Sequence, residues 1–377
     1  MILFYLLLVL DSFLLQLPRC LLGFVLRFCW HPPKRATLPK ARPLAELKTI
    51  AEERRPTLDR ETYGQGGDSA KFCGMLAYST EDEQEWKNVM GFVCDDGSLK
   101  RNLKEPSEED SVPFSGDMLS GFLLAVVGRL PKLTEDERAK LAKVWNRTTW
   151  EGFPLLFAHP LYGKKVFDRG HVWRPWWLFG SEDILTALAW LYAGWKITGE
   201  TRYKVAYYAF MILQGPSLLI TCPDGQFWLG RVYGIATYNT HSKALVFFSG
   251  WLMNESFFFT SALKQAYKRH SEYNADIAVL AGQATDAEGW EERALPLISS
   301  AVDKGRYPCP QDKKYLSLIW PPELVMRASE IVPPEYRGGD YIWERNPIKG
   351  DVLDDRYRAM KGLDVIFPIG VIEKPPL

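Results

Sequence analysis

Apolar positions along the chain recur with helical rather than strand spacing, and the segments they define come in pairs. In SEDILTALAWLYAGWKITGETRYKVAYYAFMIL an apolar stretch opens at Ser181-Glu182-Asp183 and closes at Thr198-Gly199, and a second stretch begins at once. Ser181 supplies a cap, and Gly199 supplies the left-handed residue that ends a helix. The first segment is apolar almost all round and is expected to be buried, while the second carries Arg202 and Lys204 on an outward face. Weaker versions of this grammar are GGDSAKFCGMLAYSTEDEQEW, SGDMLSGFLLAVVGRLPKLTEDERAKLAKVW and YNTHSKALVFFSGWLMNESFFFTSALKQAYKRH. The pattern predicts helices near 44–54, 68–79, 81–93, 116–130, 134–147, 181–198, 200–214, 240–253, 255–270 and 287–302, joined by loops rich in Gly, Pro and aromatics with few convincing strands.

The buried member of each pair opens at Asp68, Asp117, Asp183 or His241, at intervals of about 50 to 65 residues, so each hairpin is expected to bury its face on its neighbours. Residues 44–377 then form an all-α domain of helical hairpins, for which a closed ring suits the long aromatic loops better than an open solenoid. Residues 1–43 stand apart. MILFYLLLVLDSFLLQLPRCLLGFVLRFCW is the most apolar stretch, interrupted by Asp11, Gln16, Pro18 and Arg19, with neither a basic n-region nor a small-residue cleavage site. The Pro-broken basic segment from His31 to Arg42 follows it. Residues 1–30 are read as a retained anchor in the lipid bilayer, against the alternative of an apolar arm on another subunit. The basic flank favours a cytoplasmic body, whereas a degradative enzyme suits the opposite face, so the side of the membrane stays open.

Composition narrows the partners. At 47% hydrophobic and 24% charged the chain is of the folded globular class, and Lys plus Arg equals Asp plus Glu at 46 each. No global field steers it toward nucleic acid. Fourteen Trp and seventeen Tyr suit a helical core, a membrane interface or a groove that stacks sugar rings. Among six cysteines there is no C-x-x-C pair, and Cys73 and Cys94 are expected as buried thiols rather than a disulfide. The sequons at Asn146 and Asn254 carry little weight. P-loop, dinucleotide, serine-hydrolase and zincin motifs are absent from the sequence, and no cofactor or metal is indicated.

The hairpin grammar, the ITGETRY turn and the late GGDYIWERNP resemble the (α/α)-toroid proteins, the six-hairpin barrels of many glycoside hydrolases and polysaccharide lyases. That resemblance covers most of 60–350 and implies a membrane-anchored toroid that binds or cleaves a glycan or other polymer. It implies also that one set of helix ends faces a central cleft, where Asp68, Asp117, Asp183 and His241 would gather. Asp117 and Asp183, with Glu182 as a substitute, are the candidate acid and base of a hydrolase, which needs one carboxyl protonated and another ionised. In DGQFWLGRVYGIATYNTH, which also holds Trp228 as a substrate contact, the residues Arg231, Tyr238, Asn239 and His241 match the set a toroid lyase uses: Asn and Arg to neutralise a uronate, Tyr or His as the base. DRGHVWRPWWLFG adds His171, Trp173 and Arg174, either a stacking platform or an aromatic plug, and GGDYIWERNP adds Asp340, Trp343 and Arg345. From a different class, the same chain is read as a non-catalytic structural or accessory subunit of a membrane assembly, with its aromatics as core and interface.

Overall fold

The structure is a computed structural model that describes residues 38, 40–58, 69–100, 103, 116–151, 181–221, 238–272, 274–303, 317–319, 325–327 and 362–374. Apart from turns and an isolated bridge between Val93 and Leu99, those residues are helical except for one antiparallel pair of three-residue strands, β1 (Ser317–Ile319) and β2 (Val325–Arg327), with Leu318 opposite Met326. The helices are α1 (Leu44–Arg54), α2 (Ser69–Thr80), α3 (Glu83–Gly91), α4 (Gly116–Arg129), α5 (Glu135–Asn146), α6 (Ser181–Thr198), α7 (Thr201–Thr221), α8 (Tyr238–Met253), α9 (Phe257–His270), α10 (Ala275–Thr285), α11 (Trp290–Val302) and α12 (Leu363–Ile372).

Local chemistry sets several of these boundaries. Asp82 caps α3, accepting from the Gln84 amide at 2.6 Å. Thr134 and Glu137 form a capping box on α5: the Glu137 amide donates to Thr134 Oγ1 at 3.2 Å, and the Thr134 amide donates to Glu137 Oε2 at 2.9 Å. Asn274 caps α10, which ends where Asp286 adopts the left-handed region at φ 46°.

Burial divides the helices into alternating sets. The described side chains of α2, α4, α6, α8, α10 and α12 are buried over most of their circumference, while α1, α3, α5, α9 and α11 bury one face and expose the other. Within the buried set, α2 packs on α4, α4 on α8, α8 on α6 and α10, and α10 on α12. α12 also packs against α1 and α2. At the crossing of α2 and α4, the Cβ of an alanine at Gly74 would fall on the Gly121 carbonyl, and one at Gly121 on the backbone of Lys71. Glycine at both positions is what lets the two backbones touch.

The core that joins α4, α5 and α6 is aromatic. Trp145 and Trp190 stack with centroids 4.0 Å apart, and Phe122 stacks on Trp145 at 6.2 Å. Each indole N–H is satisfied, Trp145 Nε1 donating to the Trp190 carbonyl at 2.9 Å and Trp190 Nε1 to Thr149 Oγ1 at 3.1 Å. The ITGETRY turn has a comparable explanation. Arg202 and Tyr203 donate to Asn146 Oδ1 at 2.8 and 2.9 Å, and Asn146 Nδ2 donates to Glu200 at 3.0 Å, which locks the α6–α7 turn onto the end of α5. The amide nitrogens of both sequon asparagines are thereby occupied, since Asn254 Nδ2 donates to the Tyr207 hydroxyl at 2.9 Å. Cys73 is buried, Cys94 half-buried, and both are free thiols.

The C-terminal ends of α2, α4 and α12 are pinned together by Glu81, which accepts from Lys132 at 2.7 Å and from Lys374 at 3.0 Å. The hydrogen bonds from Lys132 and Lys374 hold its carboxyl at about 2, below the ordinary 4.5. The unfolded chain therefore takes up that proton first as pH falls. The stabilisation is fully present above 4.5, declines below it, and is gone near 2. Glu81→Gln should flatten the acid limb of stability against pH over that window, as read by urea midpoints. An unchanged limb would mean that solvent screening cancels the interaction.

The expected helices are all present, with most ends shifted by one to three residues and α7 running on to Thr221 past the expected 214, and two more were not foreseen. ADIAVLAGQAT (α10) is apolar on every side and short, so it carries no helical period; LDVIFPIGVI (α12) combines β-branched residues with an internal Pro368 and reads locally as a strand. No described helix is long and apolar enough to cross a membrane. The anchor expected at residues 1–30 lies outside the described residues.

Candidate functional site

Polar side chains are buried together in the first two turns of the buried helices. Lys71 of α2 is 1% exposed and donates from Nζ to Ser242 Oγ of α8 at 2.8 Å. One residue away, His241 Nε2 lies 2.8 Å from Asp276 Oδ2 of α10, with side chains 0% and 1% exposed. The half-buried Lys243 donates to Thr186 Oγ1 of α6 at 3.2 Å. Four helices are thus linked at one level, in side chains that would cost several kcal/mol to desolvate alone. The placement of Lys71 is informative. A helix N-terminus disfavours a cation, so a buried amine there has to be held by acceptors, of which Ser242 is one.

With Asp276 ionised its oxygens only accept, so the Nε2–H of His241 donates and the carboxylate fixes the orientation of the imidazole. Such an arrangement is how a carboxylate tunes a histidine for proton transfer, and it is equally a means of burying two polar groups in a core. Asp364, in the first turn of α12, is also 1% exposed. Its charge is felt by Arg54 of α1, whose proton affinity is lowered by burial and partly restored by Asp303 and Asp364.

Asp276, Asp364, Lys71 and Lys243 were not among the expected site residues, yet a sequence signal marks the two aspartates. Each buried helix opens with a Ser, Asn or Gly, one further residue, and then an Asp or His: Gly66-Gly67-Asp68, Ser115-Gly116-Asp117, Ser181-Glu182-Asp183, Asn239-Thr240-His241, Asn274-Ala275-Asp276 and Gly362-Leu363-Asp364. The recurrence was hidden because α10 and α12 carried no helical period to anchor it. The long connections, 92–115, 152–180, 222–237 and 303–362, all lead into this end of a buried helix, whereas the turns at the opposite ends are short. Long loops on a packed scaffold are where binding residues concentrate.

Of the expected residues, His241 is placed with its partners. It is the fourth residue of α8, a turn inside the helix rather than at its cap. Asp117, Asp183, Tyr238 and Asn239 stand in the first turns of α4, α6 and α8, and their side chains lie outside the described set. Asp68, His171, Trp173, Arg174, Trp228, Arg231, Asp340, Trp343 and Arg345 lie outside the described residues altogether. Among the described residues, no group of three His, Cys, Asp or Glu side chains is placed to hold a metal ion. The chain matches no protein-family model, no curated protein and no solved structure.

Proposed function

We propose that the two sets of helices are the inner and outer rings of an (α/α) toroid, and that the protein, anchored by residues 1–30, binds or cleaves a glycan at the end where the inner helices begin. The observation that carries this reading is the group of cross-helix links, the buried Lys71–Ser242 and His241–Asp276 and the half-buried Lys243–Thr186, at the level where Asp117 and Asp183 stand in sequence. Asp117 and Asp183 serve as the carboxyl pair of a hydrolase; in the elimination chemistry of a lyase, His241 or Tyr238 takes the proton. The two are separated by product, because elimination leaves an ultraviolet-absorbing double bond in the sugar.

The test is to incubate the full chain with neutral and uronic polysaccharides and follow chain shortening. Asp117→Asn and Asp183→Asn should each lower turnover by about 10²-fold or more while leaving the melting temperature in place. Full activity in both variants, or no binding and no turnover across the panel, removes the catalytic reading. The accessory-subunit reading then leads. What favours it now is the burial of His241 and Asp276 against each other, which is how a core satisfies such groups.

A further inference from the structure

One outer helix breaks the pattern of the others. The exposed face of α5 carries Glu135, Asp136 and Lys143, as expected of a helix facing water. On α7 the exposed face carries Val205 at 48%, Tyr208 at 42% and Ile212 at 69%, three and four residues apart and so in one stripe. Its opposite face is buried through Tyr203, Ala206, Tyr207 and Phe210. α7 is therefore apolar on both sides, and among the described residues Val205, Tyr208 and Ile212 keep much of their surface in water.

Beside the stripe stand the exposed cations Lys196, at the end of α6, and Lys204, one turn before Tyr208, in a chain whose net charge is zero. Glu200 in the intervening turn is already paired with Arg202, whose Nε lies 2.5 Å from its carboxylate. Lys196 and Lys204 lie 5.2 and 4.8 Å from the Trp195 ring, and Tyr192 packs edge-on to Trp195 at 5.4 Å. Tyr and Trp rings flanked by lysines, with aliphatic tips projecting beyond them, are the chemistry of an anionic lipid–water interface.

We propose that the outer face of α7 docks on an anionic bilayer, as a contact separate from the anchor expected at residues 1–30. Inserted side chains anchor this face and the surrounding cations meet the head groups. This would fix the orientation of the body relative to the membrane, which a single terminal tether leaves free. The docking is independent of the glycan reading.

The experiment reconstitutes the full chain with vesicles of phosphatidylcholine and phosphatidylglycerol that include a photoactivatable acyl chain, and maps the lipid adducts. Adducts are expected on the peptide spanning Val205 to Ile212. In the variant Val205→Glu/Ile212→Glu they should fall roughly tenfold, while adducts within residues 1–30 persist. Adducts confined to residues 1–30 in the unaltered chain overturn the proposal. So does cross-linking of this face to a second copy, or to residues 1–30 of the same chain, in place of lipid.

Discussion

Gly121→Ala should destabilise the protein by about 3 kcal/mol, the upper range for overpacking a core that cannot give way. A methyl group at Gly121 would overlap the backbone of Lys71, and backbone cannot rotate aside as a side-chain tip can. Relief requires α2 and α4 to separate, which strips contacts along two helices buried over most of their surface. Gly199→Ala is the control, because Gly199 has open space around it and needs only its positive φ of 70°. That change should cost about 1 kcal/mol. Denaturant midpoints of the two variants decide the matter, and equal losses would mean that the helices do not cross in contact at Gly121.

The second large effect is expected at the histidine–aspartate pair. Asp276→Ala removes the acceptor 2.8 Å from His241 in a site closed to water, and the loss should be about 3 kcal/mol. Replacing both partners, His241→Leu with Asp276→Leu, should recover much of that loss, since two apolar groups bring no desolvation penalty. A double-mutant cycle reads the coupling directly. If Asp276→Ala costs under 1 kcal/mol, the pair is solvated in solution. The double variant also separates folding from function: stability regained with glycan binding lost would place the pair in the site rather than in the core.

Helix pairing was legible from the sequence because caps and apolar period agree locally. SEDILTALAWLYAGWKIT opens with a polar turn and ends before Gly199, and its predicted span of 181–198 is the observed one. For α10 and α12 burial on all sides erases the period, and what makes them helices is their packing on α2, α8 and each other. The site was legible in part for a related reason. His241 stands out as a rare residue at a helix opening, whereas Asp276 in Asn274-Ala275-Asp276 is an ordinary first-turn acid until its helix is known to be buried. Lys71 gave no signal at all. Lysine in sequence reads as surface, and its burial follows from the close crossing of α2 and α4, which no local pattern contains.

The return of α12 to α1 and α2 sets the timetable of folding on the ribosome. Helix pairs up to α11 can nucleate as they emerge, each on the hairpin before it, but the faces of α2 and α10 that α12 covers stay wet until α12 is released. Its contacts with α1 and α2 span roughly three hundred residues of chain, so the loop-closure cost is met late and by a single element. Gln283 of α10, which donates to the carbonyls of Val371 and Lys374 at 3.2 and 2.6 Å, and Lys374, which reaches Glu81 and the Tyr78 carbonyl, act as the keystone of this arch. During translation the apolar faces of α2 and α10 are accordingly bare until α12 emerges, and chaperone cover is expected over that interval.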